Sequence, residues 1–176
     1  EKKIYWIGHP MFLDNVLKEI TNGSFDLLER KKEYEKKMTA ERNESNSFKD
    51  NMNAIENAIT SKNYKEAIAL TDKFSVQAHS SSYVYKQRKL QILLAFFKEK
   101  DVLNYLNNPK KTNKKHAAAL ASFIATQENI SSKTDAKAAD IIDKYGEKNT
   151  YYLDCLSTLQ SRLGRFEQAY KNQLKV

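Results

Sequence analysis

The sequence predicts a mainly α-helical chain of paired helices, with one strand-and-helix unit at its start. Three observations carry this expectation. Apolar residues recur every three or four positions over most of the 176 residues. Four Gly and two Pro are far fewer than collagen-like, linker-like or turn-dense all-β chains use. One run, Lys3-Ile4-Tyr5-Trp6-Ile7, is β-branched and aromatic enough to read as a strand, and it is the only good one. A hydrophobic content of 40%, with 10 Tyr, 8 Phe and 1 Trp, excludes wholesale disorder. A single Cys excludes an internal disulfide and any CxxC pair. No apolar run is long enough to span a membrane.

The elements follow in order. Gly8-His9-Pro10 stops the strand, and Pro10 suits a first helical turn, where a missing N–H costs nothing. Met11, Leu13, Val16, Leu17 and Ile20 mark one helical face, and Gly23 supplies a left-handed stop. A lone strand cannot satisfy its own backbone, so residues 1–23 read as the end of an α/β domain. Glu1 follows no Met and no leader, which reads as a cut point in a longer protein. From Phe25 to about Arg42 runs a charged helix with a thin stripe of Leu27, Leu28, Tyr34 and Met38. Asn43-Glu44-Ser45-Asn46 offers a break, and Ser47-Phe48-Lys49-Asp50 restarts the helix as a loose capping box. Residues 24–47 are therefore expected to connect two units.

From residue 48 onward, helix and turn alternate. Met52, Ile55 and Ile59 lead to a turn at Ser61-Lys62-Asn63, followed by a helix with Ala67, Ile68, Leu70 and Phe74. After Ser80-Ser81-Ser82 comes the most apolar helix, with Tyr83, Leu90, Leu93, Leu94, Phe96 and Phe97, expected to be central. Val102 to Leu106 is short and Pro109 closes it; Ala117 to Ala125 is Ala-rich. Thr134 is expected to cap a helix through Ile141 and Ile142 that ends at Gly146. A final pair runs through Leu153, Leu156 and Leu159 to Gly164, then Phe166, Ala169 and Tyr170.

Two of these turns share a pattern. Lys62-Asn63-Tyr64-Lys65-Glu66-Ala67-Ile68 and Gly164-Arg165-Phe166-Glu167-Gln168-Ala169-Tyr170 each read turn, aromatic, two polars, Ala, apolar. Tyr64 and Phe166 stand three periods of 34 apart, and Val102 and Ala136 fit the intervening turns. The expected logic is that the aromatic plugs the gap between paired helices while Ala permits close approach. Residues 48–176 thus resemble tetratricopeptide (TPR) repeats, although most first-helix consensus positions depart from that pattern. An irregular helical bundle with the same local turns also fits.

The net charge of +8 comes from 25 Lys and only 5 Arg, interleaved with 22 acidic residues. Nucleic-acid readers rely on the planar Arg fork, so this balance reads as a solvated helical surface rather than a specific nucleic-acid footprint. Lys110, Lys111, Lys114 and Lys115, followed by His116, form the densest basic cluster. It reads as a solvated loop at a helix start, or as a site for lipid headgroups, nucleic acid or an acidic partner.

The segment Lys3-Ile4-Tyr5-Trp6-Ile7-Gly8-His9-Pro10-Met11, with Leu13-Asp14 and Val16-Leu17 after it, resembles the final strand and helix of thioredoxin-like (redoxin) thiol-disulfide oxidoreductases. Some bacterial members of that family carry a charged helix and a TPR-like tail in the same order. The resemblance implies a module that positions an oxidoreductase or its substrates, in the periplasm or cell envelope. It transfers no catalytic residue: the family's CxxC and facing cis-proline are missing, and Pro10 follows the last strand.

No side chain here is assigned a catalytic, cofactor-binding or metal-binding role. Cys155 lies among Leu153, Leu156 and Leu159 and reads as a buried, inert thiol. His9, His79 and His116 lack metal-ligand spacing. Tyr83, Tyr85, Tyr151 and Tyr152 read either as the lining of a concave peptide-binding face or as packing residues. The expected function is a non-catalytic interaction region with a protein or peptide partner. Three alternatives remain open at this point. One is an independent helical scaffold unrelated to redox chemistry, another a basic nucleic-acid binder, and the third adds homodimerisation through the exposed first strand.

Overall fold

Charged i,i+4 pairs and the scarcity of breakers turn most of the described residues into helix. The structure, a computed structural model, describes residues 13–78, 82–107, 114–147 and 149–176, the Lys115 side chain excepted. Among the described residues there are nine helices and no strand. The expected strand at Lys3–Ile7 and its Gly8-His9-Pro10 stop lie outside them. So do Ser80, Ser81, Pro109, Lys110 and Lys111.

Residues 1–50 and 51–176 form separate units. In the first, α1 (Leu13–Thr21) ends where expected, with Gly23 at φ +74°. The α2 helix (Leu27–Thr60) is capped by Asp26, whose carboxylate accepts from the amides of Leu28 and Glu29 at 2.8 and 3.1 Å. Arg30 grips both carboxylate oxygens of Glu19 at 2.6 and 2.7 Å, tying the start of α2 to α1. The break expected at Asn43–Asn46 does not occur: α2 is continuous over 34 residues. Asn and Ser each cost a helix well under 1 kcal/mol, and no Gly or Pro accompanies them. The flanking pairs Lys31–Glu35 and Lys37–Glu41 add a little in the other direction.

The second unit begins within α2 and continues through α3 (Tyr64–Gln77), α4 (Ser82–Phe96), α5 (Glu99–Leu106), α6 (Lys114–Ala125), α7 (Ser132–Tyr145), α8 (Thr150–Arg162) and α9 (Phe166–Gln173). Neighbours in sequence pack as α3 on α4, α4 on α5, α6 on α7, α7 on α8 and α8 on α9. Alternate helices also touch, α4 with α6, α6 with α8 and α5 with α7. The odd-numbered helices α3, α5, α7 and α9 begin at Tyr64, Glu99, Ser132 and Phe166, in steps of 35, 33 and 34 residues. The shared core runs from Leu90 and Leu93 through Val102, Leu120, Ala121 and Ile124 to Ile142, Leu156 and Leu159. Small residues make the close approaches: Ala118, Ala121 and Ala138 are fully buried on α6 and α7. The α4 helix is central as expected, but Phe96 at its end is half exposed and stacks on Tyr64 at 4.1 Å, nearly parallel.

The two matching turns are the same turn in three dimensions. At the end of α2, the Lys62 amide bonds to the Ile59 carbonyl and the Asn63 amide to the Ala58 carbonyl, at 2.9 and 2.8 Å. At the end of α8, Gly164 bonds to Ser161 and Arg165 to Gln160, at 3.0 and 2.8 Å. Both are Schellman closures, with φ +58° at Lys62 and +72° at Gly164. Asn63 and Arg165 then share φ −90° with ψ 64° and 58°, and Ala67 and Ala169, on the helices that follow the turns, are both buried. The aromatic plug does not recur: Tyr64 is half-buried against Phe96, whereas Phe166 is 68% exposed.

Lys62 holds a left-handed conformation that costs an L side chain roughly 1 kcal/mol or more. Lys62→Gly is therefore expected to raise unfolding stability by roughly 1 kcal/mol, and Gly164→Ala to lower it by a similar amount. Urea denaturation with an unchanged slope checks both. The cap of α7 also differs from expectation. Ser131, not Thr134, is the N-cap, its hydroxyl accepting from the Thr134 amide at 3.2 Å, while Thr134 is buried inside the first turn.

Candidate functional site

Helices α4, α6 and α8 touch in succession, so residues at their N-terminal ends share one face. Three of the four tyrosines singled out in the sequence meet there. The Tyr83 hydroxyl of α4 donates to the Ala119 carbonyl of α6 at 3.2 Å. Ser122, fully buried on α6, donates to the same carbonyl at 2.9 Å. The Ser122 hydroxyl is also 3.0 Å from the Tyr151 hydroxyl of α8. One carbonyl and one hydroxyl thus join three helices in a single polar chain. Tyr152 meets the Tyr151 ring edge-on at 5.3 Å, and the His116 ring lies 5.6 Å from that of Tyr83.

The Tyr83 and Tyr151 phenols are held by these bonds, and the Tyr83 and Tyr152 rings pack against the hydrophobic core. Tyr151 is 56% exposed, while Tyr83 and Tyr152 are half-buried. Burial, helped by Tyr151 and Tyr152, pushes the Tyr83 phenol above its ordinary value, so it stays a neutral donor. Burial and then Lys86 push His116 below its ordinary value, so its ring is neutral at pH 7. Cys155, one turn beyond Tyr151, is buried, and its thiol is pushed up chiefly by that burial, giving an unreactive protonated group. The face therefore offers aromatic surface with fixed hydroxyls and carries no thiolate.

Tyr85 does not join this face. It is fully buried, its ring tilted against Phe74 at 5.8 Å and its hydroxyl accepting from the Asn51 side chain at 3.2 Å. Two residues along a helix turn a side chain by roughly 200°, so Tyr83 and Tyr85 must point apart. Of the basic cluster, Lys114 is exposed at the start of α6; Lys110, Lys111 and the Lys115 side chain lie outside the described residues. Ser122 and Ala119 drew no notice in the sequence, and a Ser within an Ala-rich helix carries little signal.

A groove of about 800 Å³ opens between α3 and α5 beside α4. Ile68, Val76, Leu93 and Phe97 give it apolar walls. Lys89 in its lining bonds both Asp72 oxygens at 2.8 and 2.6 Å and lies 5.1 Å above the Tyr105 ring. Those charges satisfy one another. No group of three or more metal-ligating side chains occurs among the described residues, and no helix among them is long and apolar enough to cross a membrane.

Compared with known protein families, curated proteins and solved structures, the chain matches none.

Proposed function

We propose that residues 51–176 form a TPR-like array that binds an extended peptide across the α4–α6–α8 face. The observation that carries this reading is the convergence of Tyr83, Tyr151, Tyr152 and His116 from three alternate helices, with the Tyr83 and Tyr151 phenols tethered and the Tyr151 ring exposed. Anchored aromatics supply contact area at little entropic cost, because the tethers already fix their rotamers. The repeat reading draws support from the helix steps of 35, 33 and 34 residues, the alternate-helix packing and the twin Schellman turns. In such arrays alternate helices line one side, where partners dock.

The proposed role is a non-catalytic interaction region. Its attachment to a thioredoxin-like oxidoreductase in the cell envelope rests on the resemblance of residues 3–11 and on the charged helix that follows. Insulin reduction by the protein encoded by the whole reading frame tests that attachment; a frame with no CxxC would contradict it.

The binding reading is tested by peptide display on immobilised protein. Wild type is expected to enrich a peptide set that Tyr151→Ala loses by tenfold or more, with helical circular dichroism unchanged because Tyr151 is exposed. Equal enrichment on both proteins, or none on wild type, would contradict the reading.

A further inference from the structure

The joint between α1 and α2 is the one place in the sequence where Asn precedes Gly. Asn22, Gly23 and Ser24 are all exposed there. The end of α1 closes through the Gly23 amide, which bonds to the Ile20 carbonyl at 3.3 Å. The Ser24 and Phe25 amides add bonds to the Glu19 carbonyl at 2.9 and 3.1 Å. Within this closure the Asn22 side chain is held by its oxygen. That Oδ1 accepts from the Ser24 amide at 3.1 Å and from the Ser24 hydroxyl at 2.7 Å. Gly23 sits at φ +74°, with no atom within 4 Å of where a Cβ would stand. No side chain therefore crowds the peptide bond between Asn22 and Gly23.

We propose that Asn22 is a site of spontaneous deamidation, and that its conversion loosens α1 from α2. The Gly23 nitrogen gives its proton to solvent and attacks the Asn22 Cγ, closing a five-membered ring. Nucleophile and target belong to adjacent residues, so no encounter has to be paid for. Negative charge gathers on Oδ1 as the bond forms, and the two Ser24 donors already point at that atom. The Cγ–Nδ2 bond then breaks, and Nδ2 takes a proton from water and leaves as ammonia. Water opens the resulting succinimide. Cleavage at Cγ gives an aspartate, and cleavage at the main-chain carbonyl gives an isoaspartate. Water enters, ammonia leaves, and nothing is oxidised or reduced. The restraint on the nucleophile is the bond from Gly23 to Ile20, the longest of the closure, at a helix end where opening costs little. Either product puts a carboxylate at the C-terminus of α1, where the helix dipole disfavours it. Isoaspartate also lengthens the main chain, which shifts the Ser24 and Phe25 amides off the Glu19 carbonyl. Glu19 is the residue that Arg30 of α2 grips, so the joint weakens at its anchor.

Ageing the full chain in warm neutral buffer, followed by peptide mapping that resolves aspartate from isoaspartate, tests this. Asn22 is expected to convert roughly tenfold faster than Asn46, which precedes Ser47 inside the continuous α2 helix. Mildly alkaline buffer is expected to speed the conversion, since the attacking nitrogen must lose its proton. Ser24→Ala keeps the amide donor, removes the hydroxyl, and is expected to slow conversion several-fold. Hydrogen exchange of the α1 amides is expected to quicken as wild type ages. Asn22→Gln closes its larger ring far more slowly, so its α1 exchange is expected to hold steady over the same period. Conversion no faster than at Asn46, an unchanged rate in Ser24→Ala, or unchanged α1 exchange in the converted chain would overturn the inference.

Discussion

Arg162→Met is expected to cost about 3 kcal/mol at pH 7, a large share of what a domain of this size possesses. Arg162 sits at the end of α8 and donates to the Ala125 and Ile124 carbonyls at 2.8 and 3.4 Å, closing the C-terminus of α6. Its guanidinium also stands 3.6 Å from the Asp135 carboxylate, which is buried in the first turn of α7. One side chain thus joins α6, α7 and α8. Removing it strands an ionised carboxylate in the core and frees two helix-end carbonyls. Replacing both partners, as Asp135→Asn/Arg162→Met, is expected to recover at least half of the loss, because the neutral amide is far cheaper to bury.

The pH dependence has a definite sign. Burial raises the Asp135 pKa above its ordinary value, and Arg162 opposes that rise. A carboxyl whose folded pKa is raised binds its proton more readily in the folded state, so it penalises stability above that pKa. The penalty fades as pH falls toward the unfolded value near 3.8. Without Arg162 the rise is larger, so the stability gap between wild type and Arg162→Met is expected to narrow from pH 7 to pH 4. Paired urea titrations at the two pH values measure it; a gap that widens in acid would contradict the assignment.

The second large effect falls on Tyr85. Tyr85→Ala is expected to cost about 3–5 kcal/mol, since it empties a fully enclosed site against Phe74. Tyr85→Phe keeps the volume and strands the Asn51 donor, for about 1 kcal/mol. Neither is expected to change peptide affinity in the folded protein, whereas Tyr83→Ala weakens it. Calorimetric unfolding paired with titration of a display-selected peptide separates the two roles. Weakened binding by folded Tyr85→Phe would return Tyr85 to the site.

What the sequence disclosed follows from how far each signal reaches along the chain. The turn at Lys62-Asn63-Tyr64 and its twin at Gly164-Arg165-Phe166 are legible because a Schellman closure spans six residues and leaves a local pattern. The helical character of α3 to α9 is equally local. Continuity of α2 through Asn43–Asn46 was missed because weak helix formers resemble a break when their stabilising neighbours are discounted. The division between Tyr83 and Tyr85 was present in the helical period, since two positions apart is nearly opposite. The Asp135–Arg162 pair and the Tyr83–Ala119–Ser122–Tyr151 chain join residues some 27 to 68 positions apart, and no local pattern announces such contacts.

The most direct measurement of the central claim is amide chemical-shift mapping of a display-selected peptide on isotope-labelled protein. The account predicts changes concentrated at Tyr83, His116, Ala119, Ser122, Tyr151 and Tyr152, on the three helices that share the tyrosine face. Changes centred instead on the groove between α3 and α5, or spread evenly over the lysine-rich surface, would contradict it.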